Sequence, residues 1–159
     1  MARYRTSITS AAALAANAGF FYMPSVASVG WLLRRITVGF TSNGAAVAAS
    51  QQIGVGVAPI TAAGTGAAAP TSIQTISPNG GTSAIAPTGP FATTQPTFST
   101  SATAGNLLIP LNNQSAADLS WEEPDQWFVV GGTTAGLAFY ASQVFPAGVS
   151  AALTVEWEI

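Results

Sequence analysis

The sequence predicts an all-β chain folded as a single β-sandwich domain over residues 1–159. Three observations predict it. One segment alternates apolar and polar residues without exception, several shorter ones do so more briefly, and glycine and proline punctuate the intervals. Many short strands with almost no helix must close into a sandwich or barrel, because a sheet with one apolar face buries it against a second layer.

Along the chain, Tyr4–Ser10 is the first strand candidate. Ser10–Ala18 is alanine-rich, with Gly19 as a stop, and is the one short helix the sequence predicts. Ile36, Val38 and Phe40 alternate with Arg35, Thr37 and Gly39; Ile53, Val55 and Val57 alternate with Gln52, Gly54 and Gly56. Leu107–Leu111 reads as an edge strand, since Pro110 brings no donor to a ladder. Trp127–Val130 is a continuous apolar run closed by Gly131 and Gly132, suited to a strand buried on both faces or at an interface. Gly136–Ser142 is the next candidate.

The clearest segment comes last. Val149, Ala151, Leu153, Val155, Trp157 and Ile159 alternate with Ser150, Ala152, Thr154, Glu156 and Glu158. A helix would scatter these side chains around its axis, whereas a strand puts them on one face. Trp157 requires that face to be covered. The period itself does not choose among sandwiches, of which the jelly roll is one.

The middle of the chain differs in kind. No residue between Arg35 and Asp118 is charged. Within it, a Pro/Gly/Ala/Thr-rich loop excursion spans about residues 60–106, broken by Pro70, Pro78, Pro87, Pro90 and Pro96. Ile73, Ile76, Ile85, Phe91 and Phe98 are its potential anchors. With little core of its own, the excursion is expected to lean on a neighbouring subunit. Deleting Pro70–Pro96 is then expected to weaken association while leaving the sandwich folded.

Composition narrows the function classes. Charged residues make up 6% of the chain, against roughly 25% in an average soluble domain. A surface of Ser, Thr, Asn, Gln, Gly and Ala does little to keep copies apart. Four arginines and a net charge of −2 cannot neutralise a run of phosphates, so nucleic acid is not an expected partner. No stretch approaches the ~18 apolar residues that span a bilayer, so no membrane partner is expected. Thr6, Ser7, Thr9, Ser10 and Asn17 interrupt the apolar stretch near the N-terminus, which therefore reads poorly as a secretory leader.

Catalytic equipment is sparse. Histidine, lysine and cysteine are all missing, which removes the usual nucleophile–base pairs, zinc–thiolate sites and phosphate-binding lysine loops. No enzyme and no cofactor are expected. Asp118, Glu122, Glu123 and Asp125 cluster around Pro124. They read as a solvated acidic loop, with calcium left open although the spacing matches no EF-hand. Of the four tryptophans, Trp127 and Trp157 lie in apolar strand patterns and are assigned to core or interface, while Trp31 and Trp121 sit beside charged residues.

Charge is also segregated. All four arginines lie at or before Arg35 and all six acids at or after Asp118. If the two ends meet, Arg34 or Arg35 facing Glu156 or Glu158 would set strand register or partner choice more than stability.

Several segments resemble those of small head proteins of tailed bacteriophages, of the jelly-roll decoration or minor structural type. They are the opening Ala2-Arg3-Tyr4-Arg5-Thr6-Ser7-Ile8-Thr9, the strand Leu33–Phe40, the run Pro124–Gly132 with Gly136–Tyr140, and the closing Thr154-Val155-Glu156-Trp157-Glu158. The resemblance covers about half the chain and carries no catalytic residue. It implies a jelly roll, often a homotrimer, binding major capsid protein and its own copies on the capsid surface of a virion assembled in the host cytoplasm. Arg34, Arg35, Trp127, Phe128 and Trp157 are the candidate core and interface residues. The alternative is a glycan- or receptor-binding jelly roll of a phage tail or cell surface. An exposed tryptophan beside Asp or Asn in one pocket would favour it, and burial of all four tryptophans would count against it.

Overall fold

The computed structural model of the chain describes residues 1–24, 26, 29–42, 52–62, 65–67, 73–77, 81–85, 87, 91–94, 97–98, 107–112, 116–122, 127–129 and 136–159. Its strands are β1 (Arg3–Thr9), β2 (Gly19–Pro24), β3 (Trp31–Ser42), β4 (Gln52–Ala62), β5 (Thr65–Ala67) and β6 (Ile73–Thr75). They continue as β7 (Phe91–Thr94), β8 (Thr97–Phe98), β9 (Leu107–Asn112), β10 (Ala116–Ser120), β11 (Trp127–Val129), β12 (Gly136–Ala141) and β13 (Val149–Glu158). No helix occurs among the described residues.

Strand β13 behaves as its alternation dictates. Val149, Ala151, Leu153, Val155 and Trp157 are buried in the main core, while Ser150, Ala152, Thr154 and Glu156 line the opposite face. It lies between β1 and β3, antiparallel to both. The first sheet runs β10-β3-β13-β1-β6, with β11 continuing beside β3. The second runs β2-β12-β4-β8, with β9 also on β4. Strands β5 and β7 form a separate ribbon.

The long strands show a simple rule of pairing. Strand β1 pairs with β13, β2 with β12, β3 with β10 and β4 with β9. First meets last, second meets second-last, and so on inward, while successive strands alternate between the two sheets. That is the path of one long hairpin rolled into two facing sheets, the jelly roll. The excursion between β4 and β9 is the tip of that hairpin.

Two bulges adjust the strands to their sequences. In β3, Trp31 and Leu33 face the core, and so do Ile36 and Val38, which strict alternation forbids. The register shifts where Glu156 faces Arg35 and Trp157 faces Leu33, leaving Arg34 as the extra residue. Both adjacent arginines thereby stay out of the core. In β2 the register shifts between Phe139 and Tyr140, and the extra residue, Phe20, joins Phe21 inside the core.

Aromatic pairs lock neighbouring strands, and the connection into β13, in place. Tyr4 stacks on its cross-strand partner Trp157 at 5.8 Å, Phe21 meets its partner Phe139 at 5.4 Å, and Phe40 meets Phe145 edge-on at 5.5 Å. Phe145 arrives through the connection into β13. That connection closes on a turn in which the Val149 N–H donates to the Pro146 carbonyl at 3.0 Å. Gly148 takes the left-handed conformation the turn demands, φ 76°.

The structure corrects the helix expected at Ser10–Ala18. This segment is a corner carrying the chain from β1 to β2, and Gly19 begins β2 rather than stopping a helix. Its backbone donors are taken by other strands: Ser10 N–H by the Ala151 carbonyl, Ala13 N–H by Val149 and Asn17 N–H by Ala141. Alanine propensity, a few tenths of a kcal/mol per residue, yields to these tertiary hydrogen bonds. Ala13 and Asn17 adopt left-handed φ of 54° and 62° to make the corner.

One expected anchor of the excursion is in place. Ile85 is fully buried in the main core. Ser83 secures it by accepting from the Ile85 backbone N–H at 3.1 Å and from Trp157 Nε1 at 3.3 Å. Ile85 and Ser83 thus pin this part of the excursion to the sandwich, and deletion of Pro70–Pro96 would remove a buried isoleucine from the core. Strand β6 adds to the first sheet through β1. Ile73 and Ile76 are exposed and anchor nothing; the side chains of Phe91 and Phe98 lie outside the described residues. Leu107–Leu111 is, as expected, part of an edge strand, with Pro110 opposite Gly54.

Ile85→Ala is expected to lower unfolding free energy by about 2–5 kcal/mol, whereas Ile76→Ser stays within about 0.5 kcal/mol. Urea titrations of the two variants check the contrast; equal effects would place Ile85 outside the core.

Candidate functional site

The outer face of the first sheet divides into two parts. Over most of it the residues are small and neutral: Ser7 and Thr9 on β1, Ser150, Ala152 and Thr154 on β13, Gly39 and Thr41 on β3, and Ala116 on β10. The hydroxyls of Ser7 and Thr154 bond across strands at 2.8 Å. Toward Trp157 the same face becomes densely charged, because register brings Arg5, Glu156 and Arg35 into one cross-strand row and sets Arg3 opposite Glu158.

This is where the segregated charges meet. Glu158 is almost buried, and its Oε2 accepts from Arg34 Nε at 2.6 Å and from Arg3 Nε at 3.3 Å. The β3 bulge makes the Arg34 contact possible by turning that side chain outward. Arg35 grips Asp118 with two nitrogens, Nε donating to Oδ1 at 2.7 Å and Nη2 to Oδ2. Thr37 adds a longer bond to Oδ1 at 3.4 Å. On the far side Arg5 Nε donates to Gln74 Oε1 at 2.7 Å, joining β1 to the excursion.

These contacts shift the ionisation of the exposed pair. The hydrogen bond from Arg35 holds the Asp118 carboxyl below its ordinary value, and the same bond raises Arg35. A carboxylate favoured in the folded chain contributes stability above its ordinary range and loses it as pH falls through the lowered midpoint.

A shallow pocket of about 400 Å³ opens at this charged end. Arg3, Arg34, Arg35 and Glu156 line it from β1, β3 and β13, and Ser120, Trp121 and Glu122 from the end of β10 and the residues that follow it. Strand β10 brings these residues to the site by pairing with β3 and handing the chain directly to Trp121, whose backbone N–H donates to the Arg34 carbonyl at 3.0 Å. Trp121 packs one side against the core and is only half-buried.

The candidate residues therefore separate. Arg34 and Arg35 lie at this site, and Trp157 lies beneath it, wholly buried. Trp127 and Phe128 occupy β11, opposite Leu33 and Leu32 of β3; their side chains lie outside the described residues. Trp31 is core. The acidic cluster is not one loop: Asp118 is a strand residue held by Arg35 and Glu122 belongs to the pocket, while Glu123 and Asp125 lie outside the described residues. No three acidic groups converge as metal ligands among the described residues.

Sequence reasoning missed two elements. The β2 run Phe20–Met23, between Gly19 and Pro24, carried a strand signal that the helix reading of the preceding segment obscured. In β10, Ala117 and Leu119 face inward and alternate with Ala116, Asp118 and Ser120. No protein-family model, curated protein or solved structure matches the chain.

Two measurements test the charge network. By NMR titration the Asp118 carboxyl is expected to ionise below the ordinary aspartate value of 3.8 and to return toward it in Arg35→Gln. Glu158→Gln, which weakens the partner of nearly buried Arg34, is expected to cost about 1.5–3 kcal/mol in urea unfolding. An unchanged midpoint in either case would mean the corresponding pair does not form in solution.

Proposed function

We propose that the chain is a non-enzymatic structural subunit that works by packing against other protein copies, as a decoration, cement or minor head subunit of a tailed-phage capsid. The observation that carries this reading is the neutral part of the first sheet's outer face. From Ser7 across Thr154 to Thr37, and from Thr9 across Ala152 and Gly39 to Ala116, it offers small side chains without charge. Such a face has no like-charge repulsion to hold a second surface away and little side-chain entropy to lose on contact.

The jelly roll is compatible with the reading without deciding it, since the fold serves many functions. The phage assignment rests on the resemblance of the terminal segments. In this reading the mechanism is binding energy spread over repeated symmetric contacts with major capsid protein and with like subunits. The alternative, a glycan- or receptor-binding module, draws on the half-buried Trp121 beside Glu122 and Glu156.

Light scattering of the purified chain across a range of concentrations is the test. A discrete oligomer such as a trimer, or mass that grows with concentration, is expected. Ala152→Lys, in the middle of the neutral face, should abolish that association with stability changed by no more than about 0.5 kcal/mol. A monomer at every concentration, or association indifferent to the lysine, would count against this face as a packing surface.

A further inference from the structure

From the pocket at the charged end of the first sheet, we infer that the chain carries a binding site for a neutral saccharide. This goes beyond the packing role and uses a different part of the same face.

The pocket's volume, about 400 Å³, falls within the ~300–1,000 Å³ typical of small-ligand sites. Its charges define the ligand class. Arg3 and Arg34 share Glu158, Arg35 holds Asp118, and Arg5 stands opposite Glu156. The three arginines lining the pocket, Arg3, Arg34 and Arg35, are thus matched by Glu122 and Glu156 in its lining and by Glu158 and Asp118 beside it, leaving no surplus of positive potential for a phosphate or an acidic peptide. What the pocket offers instead is a dense, mixed set of hydrogen-bonding groups: guanidinium donors on Arg3 and Arg35, carboxylate acceptors on Glu122 and Glu156, and the Ser120 hydroxyl.

Sugar hydroxyls donate and accept at once, so alternating donors and acceptors on a rigid surface suit them. Hydrogen bonds to charged groups are also stronger than neutral ones. Trp121 supplies the other requirement, an aromatic surface against which the apolar face of a pyranose ring can lie. Its packing on the core and its backbone bond to Arg34 hold it in place before a ligand arrives. Arg34 and Arg35 are fixed by Glu158 and Asp118, so little side-chain freedom remains to be lost on binding.

The experiment is calorimetric titration of the full chain with linear hexasaccharides of glucose, mannose, galactose and N-acetylglucosamine, and with inorganic phosphate, at low and high salt. The expected result is saturable, salt-insensitive binding of at least one oligosaccharide and none of phosphate. Glu122→Ala, at an exposed position, should weaken that binding by at least about tenfold, and Trp121→Phe should weaken it while preserving the fold. The Trp121 indole resonance should move on titration. Three results would overturn the inference: no saturable binding across the panel, binding unaffected by both substitutions, or phosphate binding abolished by salt.

Discussion

Everything else in this molecule is arranged around the strict two-residue period of β13. Flanked on both sides, the strand presents five apolar residues inward and has no freedom to slip, since a shift of one residue would exchange core and solvent faces. Its neighbours adapt to it. Strand β3 cannot match β13 over its length with Leu33 and Ile36 both inside, and the bulge at Arg34 resolves the conflict. The adjustment that protects the core also projects Arg34 toward Glu158, so packing and the charged site have one origin.

The second sheet has a different constraint. Every residue from Ile53 to Ala58 on β4 is buried, and so is nearly all of β2 and β12. A sheet covered on both faces needs small residues where another layer or side chain comes close. Gly56 shows why: the ring of its cross-strand partner Tyr140 occupies the space a Cβ would fill. Gly136 is closed in similarly by the Met23 carbonyl and the Tyr22 ring. The glycines that punctuate the sequence here are packing residues inside strands.

Legibility followed the origin of each element's stability. Strand β13 was readable because burial on one face leaves a period in the residues themselves, and β1 and the core of β3 were readable likewise, whereas in β4 the alternation came from glycines that are themselves buried. The Ser10–Ala18 corner was not, because the carbonyls that decide its path belong to strands more than a hundred residues later. Strand β10 was hidden by its acid: Asp118 looks like loop chemistry until Arg35 is known to lie beside it. In the candidate site, the meeting of Arg34 with Glu158 was foreshadowed by charge segregation. The bulge had left its own trace, two adjacent arginines between inward-facing Leu33 and Ile36. Trp121 as a pocket wall had none, since that role depends on how β10 hands on the chain.

The pairing of first strand with last has a consequence for how the fold is reached. Strand β1 cannot acquire its main partner until β13 has been synthesised, and β2 must likewise await β12. Long-range pairings close large loops before they yield stabilising contacts, so formation is expected on the slow, millisecond-to-second side of small-domain folding. A growing chain on the ribosome would hold β2 without this partner, and β1 with only the short β6 beside it, until β12 and β13 emerge. The scarcity of long apolar runs in the first hundred residues, with polar and small residues interleaved among the isoleucines and valines, makes that wait less hazardous.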